Sequence, residues 1–307
     1  MAHIPVMTAE VVELLRPGAG GTRADGGLFV DCTVGLGGHA RALLEAGASR
    51  VIGLDRDADA LALAGAELAS FGERVELVHA DYRSMAHVLA VRGIGTIDGA
   101  LADLGVSSLQ FDSEGRGFSF RRDEPLDMRM DRSSGPTAAD LINATGEVDL
   151  ANIIFQFGEE RHSRRIARAI VDTRGRQPIV TTGQLAEIVR RAVPTRGWQR
   201  IDPATRTFQA LRIWVNRELD GLDAFLREVV NRLREGGRVV VISFHSLEDR
   251  IVKHTFRALE RADAILRVLT KRPVVPGDEE LERNPRARSA KLRAAERLAY
   301  AGTTGEA

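Results

Sequence analysis

The chain has 307 residues, of which 44% are hydrophobic and 28% are charged. This composition is typical of a folded soluble protein and excludes the collagen, disordered-tail and disulfide-scaffold classes. The single cysteine, Cys32, cannot form an internal disulfide, which fits a reducing compartment. No apolar run approaches the roughly 20 residues of a transmembrane helix, and the N-terminus lacks the basic and apolar regions of a signal peptide. The sequence therefore predicts a cytoplasmic protein that does not bind a membrane.

Short apolar runs and helical patterns alternate in the first third of the chain. The predicted strands are apolar and lie at 28–34, 51–55, 75–79 and 97–103. The predicted helices between them lie at about 40–46 and 58–70. Strands that alternate with helices of this length predict a parallel sheet with helices on both faces.

The alternation stops after the fourth predicted strand. Helical patterns without a clear strand follow over about a hundred residues. They include predicted helices at 149–157, 163–173 and 182–192, the last capped by Thr181 or Thr182. These residues predict a helical insertion, 113–212, that recognises the substrate.

The earlier rhythm returns after the insertion. The expected elements are a helix over 222–233, a strand over 236–244, a helix over about 248–259 and a closing strand near 289–293. We therefore predict one doubly wound α/β domain in two parts, 1–112 and 213–307, the second of which ends in a basic segment.

Charge is unevenly distributed, although the net charge of the chain is zero. Residues 1–114 carry a net charge of −8, residues 115–215 carry +5 and residues 216–307 carry +3. A zero total can therefore hide a basic face that binds nucleic acid. Solvated faces that merely differ in charge would give the same numbers, so the charge alone leaves both interpretations open.

Polar residues follow the predicted strands at the edge where ligands of open parallel sheets bind. The loop after the first strand has the pattern Gly35-x-Gly37-x-x-Ala40, whose glycines allow a tight turn close to a ligand. Asp55 ends the second strand 20 residues after Gly35, the spacing expected of a carboxylate that binds ribose hydroxyls. Asp81 follows the third strand and Asp103 ends the fourth. Together these residues predict a nucleoside-type ligand.

The acidic residues at these strand ends favour S-adenosylmethionine over a dinucleotide as the ligand. A dinucleotide places its pyrophosphate on a helix N-terminus, whereas S-adenosylmethionine has no phosphate and carries a sulfonium cation. Asp31, Asp55, Asp81 and Asp103 suit the cation better. A nicotinamide-dependent dehydrogenase remains the alternative enzyme, although it should show a fuller glycine fingerprint and a hydride-transfer partner. A third interpretation is a non-catalytic RNA-binding factor with the same fold. The intact acidic residues at the strand ends argue against it.

Several longer segments resemble one family. They are His3–Met7, Asp31–His39, Asp98–Ser108, Arg116–Phe120, Pro125–Met130, Gly158–Arg161, Pro203–Asn216, Ser243–Arg250 and Asn284–Ser289. The chain resembles the bacterial 16S ribosomal RNA cytosine-N(4) methyltransferases, the RsmH or MraW family, from His3 to about Arg297. The resemblance implies a Rossmann-like class I S-adenosylmethionine-dependent methyltransferase domain with an inserted helical domain.

The resemblance also implies a reaction and its site. A methyl group would pass directly from S-adenosylmethionine to the exocyclic amine (N4) of one cytidine in the decoding region of 16S ribosomal RNA, within the small ribosomal subunit, without a metal. The implied cofactor contacts are Gly37, Gly38, His39, Asp55, Tyr82, Asp103 and Gln110. Whether the substrate is naked RNA or the assembled subunit stays open, as does the oligomeric state, a homodimer included.

Asp103 is the candidate catalytic residue. A cytosine amine is a poor nucleophile, and a carboxylate that accepts its N–H bonds would localise the lone pair. Binding the amino group of the cofactor is an equally open role for Asp103. Many DNA amino-methyltransferases have a Pro-Pro-aromatic motif after the fourth strand, but Asp103–Ser108 lacks it, so the residue that stacks on the target base is not identified.

Four arginines of the insertion fall at spacings of three and four residues, which predicts a shared helix face: Arg161, Arg164, Arg165 and Arg168. We predict that they contribute to binding of RNA or the small subunit. The competing interpretation is that Glu159 and Glu160 pair with them and that the face only stabilises the helix.

Overall fold

The computed structural model describes residues 4–17, 26–193, 201–262 and 264–299, without the side chains of Ser108 and Asp112. The chain divides into two compact units. Unit 1 comprises Met1–Gly105 and Gly221–Ala307, and unit 2 comprises Val106–Asp220. Unit 2 contains all of the predicted insertion and extends a few residues beyond it at each end. His3, which opens the first family-like segment, lies outside the described residues.

All strands of the described residues belong to unit 1. They are β1 Leu28–Asp31, β2 Arg50–Asp55, β3 Val75–His79, β4 Ile97–Asp103, β5 Leu233–Ser243, β6 Leu266–Val268 and β7 Lys291–Arg297. The predicted third and fourth strands thus have the predicted bounds, whereas the first ends at Asp31 rather than Val34.

The α-helices of the described residues are, in chain order, α1 Thr8–Leu15, α2 Gly38–Glu45, α3 Ala58–Leu68, α4 Met85–Val91, α5 Ser108–Asp112, α6 Ala138–Ala144, α7 Glu147–Gly158, α8 Ser163–Arg174, α9 Thr182–Ala192, α10 Ala204–Asn216, α11 Leu222–Arg232, α12 Ser246–Ala262 and α13 Asp278–Arg283. Helices α5 to α10 form unit 2. Short 3-10 helices cover Ala69–Arg74, Tyr82–Ser84 and Pro285–Ser289.

The strands form one sheet in the order β3-β2-β1-β4-β5-β7-β6. Strands β1 to β5 pair in parallel, and β7 runs antiparallel to β5 and β6. The chain moves outward from β1 to β3 and then returns to β4 on the other side of β1. The strand order therefore reverses between β1 and β4, and the carboxyl ends of strands beside such a reversal form the usual ligand site of open α/β sheets.

Two apolar cores cover the faces of this sheet. Phe29 and Val51 lie in one core, while their chain neighbours Val30 and Ile52 lie in the other, since side chains alternate between the faces of a strand. Cys32 is a free, buried cysteine that packs in the core as a small apolar side chain.

Unit 2 has its own apolar core. The predicted cap of α9 is confirmed at Thr181, whose side chain accepts the N–H of Gln184 while the Gln184 side chain accepts the N–H of Thr181. Phe118 and Phe208 are buried in this core. None of the helices in the described part of the chain combines the length and apolar composition needed to cross a bilayer.

Candidate active site

The loop between β1 and α2 forms one wall of the site. Gly35 and Gly37 have φ angles of +51° and +88°, a left-handed backbone that favours glycine, and Gly37 is the N-cap of α2. A Cβ atom at Gly38 would lie 2.8 Å from Cγ of Pro5. The loop is thus a tight turn against which the N-terminal segment packs closely.

Asp55, the last residue of β2, is tied to this loop. Its Oδ2 accepts the N–H of Gly35 at 2.9 Å, and its Oδ1 accepts the N–H of Asp57 at 2.9 Å. Burial raises the pKa of the Asp55 carboxyl, and these two N–H donors partly oppose the rise. A carboxylate has about four acceptor positions, so each oxygen retains the capacity to accept a ligand hydroxyl.

The residues after β3, Asp81 and Tyr82, make contacts within the protein. The Asp81 carboxylate accepts two hydrogen bonds from the Arg83 side chain, at 2.7 and 2.6 Å, and Arg56 lies 3.6 Å away. Burial would raise the pKa of Asp81, but these arginines lower it. The charge of Asp81 is thus neutralised within the protein. The Tyr82 ring packs edge-on against Phe225 in the core, with ring centroids 4.6 Å apart.

His39 and Asp103 meet at the start of α2 and the end of β4. His39 Nε2 lies 3.4 Å from Asp103 Oδ2, an ion-pair distance. The other oxygen of Asp103, Oδ1, is buried and has no hydrogen-bond partner among the described residues. The backbone N–H of Asp103 donates to Thr33 Oγ1 at 2.7 Å, which fixes the strand end. Because an unsatisfied buried acceptor is costly, Oδ1 is well suited to accept a hydrogen bond from a ligand.

Asp31, the last residue of β1, is completely buried. Its Oδ1 accepts the N–H of Thr33 at 3.2 Å, and its Oδ2 has no hydrogen-bond partner in the described part of the chain. Burial raises the pKa of Asp31 to about 7, against the opposing effect of His39. Burial alone would lower the pKa of His39, but the carboxylates of Asp103, Asp31 and Glu280 outweigh it and raise that pKa.

The C-terminal part of unit 1 holds the N-terminal segment at this loop. The N–H of Met7 donates to Glu280 Oε1 at 2.6 Å, and Asn284 Nδ2 donates to the carbonyl of Ile4 at 3.2 Å. Sequence reasoning missed Pro5 and Glu280. Pro5 lies in a segment that resembles the family, and Glu280 adjoins another. The contact between Glu280 and Met7 joins residues 273 positions apart, and no local sequence pattern reveals it.

Gln110 is the one predicted cofactor residue that lies in unit 2. It is buried and occupies the third position of α5. Its Oε1 accepts the N–H of Ser107 at 3.0 Å, and its own N–H donates to Ser107 Oγ at 3.3 Å. This capping box gives Gln110 a structural role at the start of α5.

The four arginines that are predicted to bind RNA are all exposed: Arg161, Arg164, Arg165 and Arg168. Arg164, Arg165 and Arg168 lie on α8, but Arg161 precedes the first residue of that helix, so the shared helix face holds for three of them. Arg168 lies 3.4 Å from Glu147. No carboxylate of the described residues pairs with the other three, and Glu160 is instead buried, 3.9 Å from Arg206.

The residues present fit S-adenosylmethionine. Two glycines with positive φ angles let the loop approach a ligand closely. Asp55 can still accept hydrogen bonds from the two hydroxyls of a ribose. Asp103 Oδ1 is a buried acceptor that suits an ammonium group. The sheet order, with an antiparallel β7 between β5 and β6, and this strand-end site are those of a class I S-adenosylmethionine-dependent methyltransferase.

The chain belongs to the MraW methylase family, whose family model matches residues 1–298. It is 50% identical over 313 residues to the ribosomal RNA small subunit methyltransferase H of Geotalea uraniireducens, covering 96% of this chain and 98% of that one. The protein of the same name from Syntrophotalea carbinolica is 52% identical, with 96% and 98% covered. That from Geobacter sulfurreducens is 51% identical, with 97% and 99% covered. The resemblance seen in the sequence motifs is confirmed.

Proposed function

We propose that this enzyme transfers the methyl group of S-adenosylmethionine to N4 of one cytidine in the decoding region of 16S ribosomal RNA. Relatives that match nearly the whole chain at about 50% identity bear the name of a small-subunit ribosomal RNA methyltransferase. The observation that carries the proposal is Oδ1 of Asp103 at the end of β4, which is buried and has no hydrogen-bond partner in the described part of the chain.

The cofactor contacts are proposed residue by residue. Gly37 and Gly38 would admit the amino-acid tail to the loop, and Asp55 would accept hydrogen bonds from the ribose. Tyr82, 9% exposed, would offer only a small part of its ring to the adenine. His39, Asp103 and Gln110 complete the set that the family resemblance implies. When bound, the cofactor supplies a methyl group already activated by a sulfonium, so the protein's task is positioning.

Asp103 has two candidate roles, and Oδ1 is suited to both. As a catalytic residue it would accept an N–H of the cytosine amine and so concentrate the lone pair on nitrogen. As a binding residue it would accept a hydrogen bond from the ammonium group of the cofactor. The first role places Asp103 in the chemical step, and the second places it in cofactor affinity.

Unit 2 is proposed to recognise the RNA, in the assembled small subunit or in naked form. Arg161, Arg164 and Arg165 are exposed cations without a paired carboxylate among the described residues, as phosphate binding requires.

A reaction on ribosomal RNA makes the cytoplasm the proposed location. A homodimer is compatible with the sequence, and light scattering of the purified protein would establish the oligomeric state.

Two measurements test the proposed function. Calorimetric titration should show binding of S-adenosylmethionine and none of NAD. Purified small subunits should then accept a labelled methyl group in the presence of the protein. Binding of NAD alone would favour a dehydrogenase, and cofactor binding without transfer to either subunits or RNA would favour a non-catalytic RNA-binding factor.

A further inference from the structure

Carboxylates from three separate elements of unit 1 act electrostatically on His39. Asp31 comes from β1, Asp103 from β4 and Glu280 from α13. Asp103 is the carboxylate in ion-pair contact, at 3.4 Å from Nε2. The proposed reaction requires Asp103, whereas Asp31 is not among the cofactor contacts that the family resemblance implies.

The burial of this group is unfavourable for folding taken by itself. Asp31 is 0% exposed and His39 is 5% exposed. Asp31 Oδ2 and both ring nitrogens of His39 are buried without a hydrogen-bond partner among the described residues, so the 3.4 Å contact of Nε2 with Asp103 is an ion-pair contact only. Buried ionisable groups that lack partners usually titrate away from their ordinary range and concentrate at functional sites. A pair of apolar residues would fill the same volume at lower cost.

The contact between His39 and Asp103 gives the two oxygens of the Asp103 carboxylate different surroundings. Oδ2 faces the imidazole, and Oδ1 is left as an acceptor without a partner among the residues that the structure describes. A protonated imidazole attracts Oδ2 and so resists rotation of the carboxylate. A neutral imidazole can present a lone pair from Nε2, which would repel Oδ2.

We propose that His39 is a positioning residue that fixes Oδ2 of Asp103 and leaves Oδ1 for the ligand, and that Asp31 is the buried counter-charge that keeps His39 protonated. Glu280 assists from α13, where it also accepts the N–H of Met7. Among the described residues, the charged groups that act on the charge of His39 are Asp31, Asp103 and Glu280, and Asp55 in turn acts on Asp31. The inference rests on the proposed function only for the role of Asp103.

The first test needs neither donor nor RNA. The titration of His39 is followed by NMR of the histidine side chains in the wild type and in Asp31→Asn, in which Asn retains an acceptor for the N–H of Thr33. Removal of a nearby negative charge should lower the titration midpoint of His39 by about one pH unit or more. An unchanged midpoint in the folded variant would overturn the role of Asp31.

The second test compares two variants of His39 at saturating donor. His39→Gln can place an amide nitrogen near the position of Nε2 without titrating, whereas His39→Ala removes the donor. Gln should retain more of kcat than Ala. The kcat of the wild type should fall on the alkaline side as His39 loses its proton. This fall should be absent from His39→Gln and shifted to lower pH in Asp31→Asn.

Exposed His87 on α4 provides the matched control, since His87→Gln should change neither kcat nor its pH profile. Equal activity of the Gln and Ala variants, or an alkaline fall that persists in His39→Gln, would overturn the positioning role. The two proposals fail separately: absence of RNA methylation with the expected NMR shift contradicts the proposed function, while methylation with unchanged titration and pH profile contradicts only this inference.

Discussion

At the scale of single residues, Asp55 links the second strand to the glycine loop through its bonds to Gly35 and Asp57. We expect Asp55→Ala to weaken S-adenosylmethionine binding by about 1.5–3 kcal/mol, the contribution typical of a hydrogen bond to a charged group. Isothermal calorimetry measures the change, and the melting temperature establishes that the variant is folded.

Exposed Asp59, four residues further along in the first turn of α3, is the control for Asp55. Asp59→Ala removes the same charge and should leave the affinity unaltered. An affinity equal to the wild type in folded Asp55→Ala would exclude Asp55 from the cofactor site.

The two roles of Asp103 separate kinetically. Asn preserves the shape of the side chain and one acceptor but loses the charge. If Asp103 localises the lone pair of the amine, Asp103→Asn should slow single-turnover methyl transfer by much more than it weakens cofactor binding. Weak binding with a normal rate at saturating cofactor would instead assign Asp103 to the ammonium group.

The raised pKa of Asp31 should make the stability of the fold depend on pH. An acid whose pKa is higher in the folded than in the unfolded protein destabilises the fold increasingly as the pH rises from the unfolded to the folded value. For Asp31 this window runs from its ordinary value of 3.8 to about 7. The melting temperature of Asp31→Asn relative to the wild type should therefore be higher at pH 8 than at pH 5. A relative melting temperature that does not change with pH would contradict the raised pKa.

Asp127 provides the control of opposite sign. Burial would raise the pKa of Asp127, but the Arg129 guanidinium, 2.7 Å away, lowers it. This carboxylate stabilises the fold above its ordinary pKa, and the contribution is lost as the pH falls through the lowered value. Asp127→Asn should therefore lower the melting temperature at both pH 5 and pH 8.

The residues of the site differ in how far the sequence predicts them. Asp55 and Asp103 are predictable because each ends a strand, and Gly37 because it lies in the loop that follows one; parallel strands place such ends at one edge. The pairing of Asp81 with arginine was not predictable, because it depends on the side-chain direction in the 3-10 helix that follows. Glu280 reaches the site only through tertiary packing.

At the scale of elements, β3 and β4 could be predicted from continuous apolar runs, which buried parallel strands require. Strand β7 reads Lys-Leu-Arg-Ala-Ala-Glu-Arg and carries no such run. It is nevertheless internal, because its charges pair with neighbouring elements: Arg293 with Asp249 of α12, and Glu296 with Arg238 of β5 and Arg267 of β6. These partners are distant in sequence, and β6 has only three residues, so β7 was predicted with shifted bounds and β6 was missed.

Helix α8 carries the RNA-binding prediction. Because Arg164 and Arg165 are exposed and unpaired among the described residues, Arg164→Gln/Arg165→Gln should raise the apparent KM for the RNA substrate. The slope of log affinity against log salt should become shallower by about one for each lost phosphate contact. Cofactor affinity should be unchanged.

Two exposed arginines of the same unit that face carboxylates give a control of equal charge. Arg191 pairs with Glu187, and Arg206 lies 3.9 Å from Glu160. Arg191→Gln/Arg206→Gln should leave the KM and the salt slope near the wild-type values. A lower melting temperature of the α8 variant with unaltered KM and salt slope would show that α8 only stabilises unit 2.

At the scale of the whole molecule, the sequence correctly predicts a β/α domain interrupted by a helical segment, because the rhythm of strands and helices stops and resumes. Each unit has its own apolar core, as the switch from strand to helix patterning implies. The distribution of charge agrees with a division of labour, since residues 1–114 are acidic, as a cationic cofactor favours, while residues 115–215 are basic, as RNA favours.

Mapping of the methylated nucleotide tests the proposed reaction most directly. Purified small subunits and naked 16S ribosomal RNA are incubated with the protein and labelled S-adenosylmethionine, and the digested RNA is analysed by mass spectrometry. We expect the label on N4 of a single cytidine of the decoding region, with much less label from Asp103→Asn. A label on C5 of cytosine or on another type of nucleotide, or no label on either substrate, would contradict the proposed function.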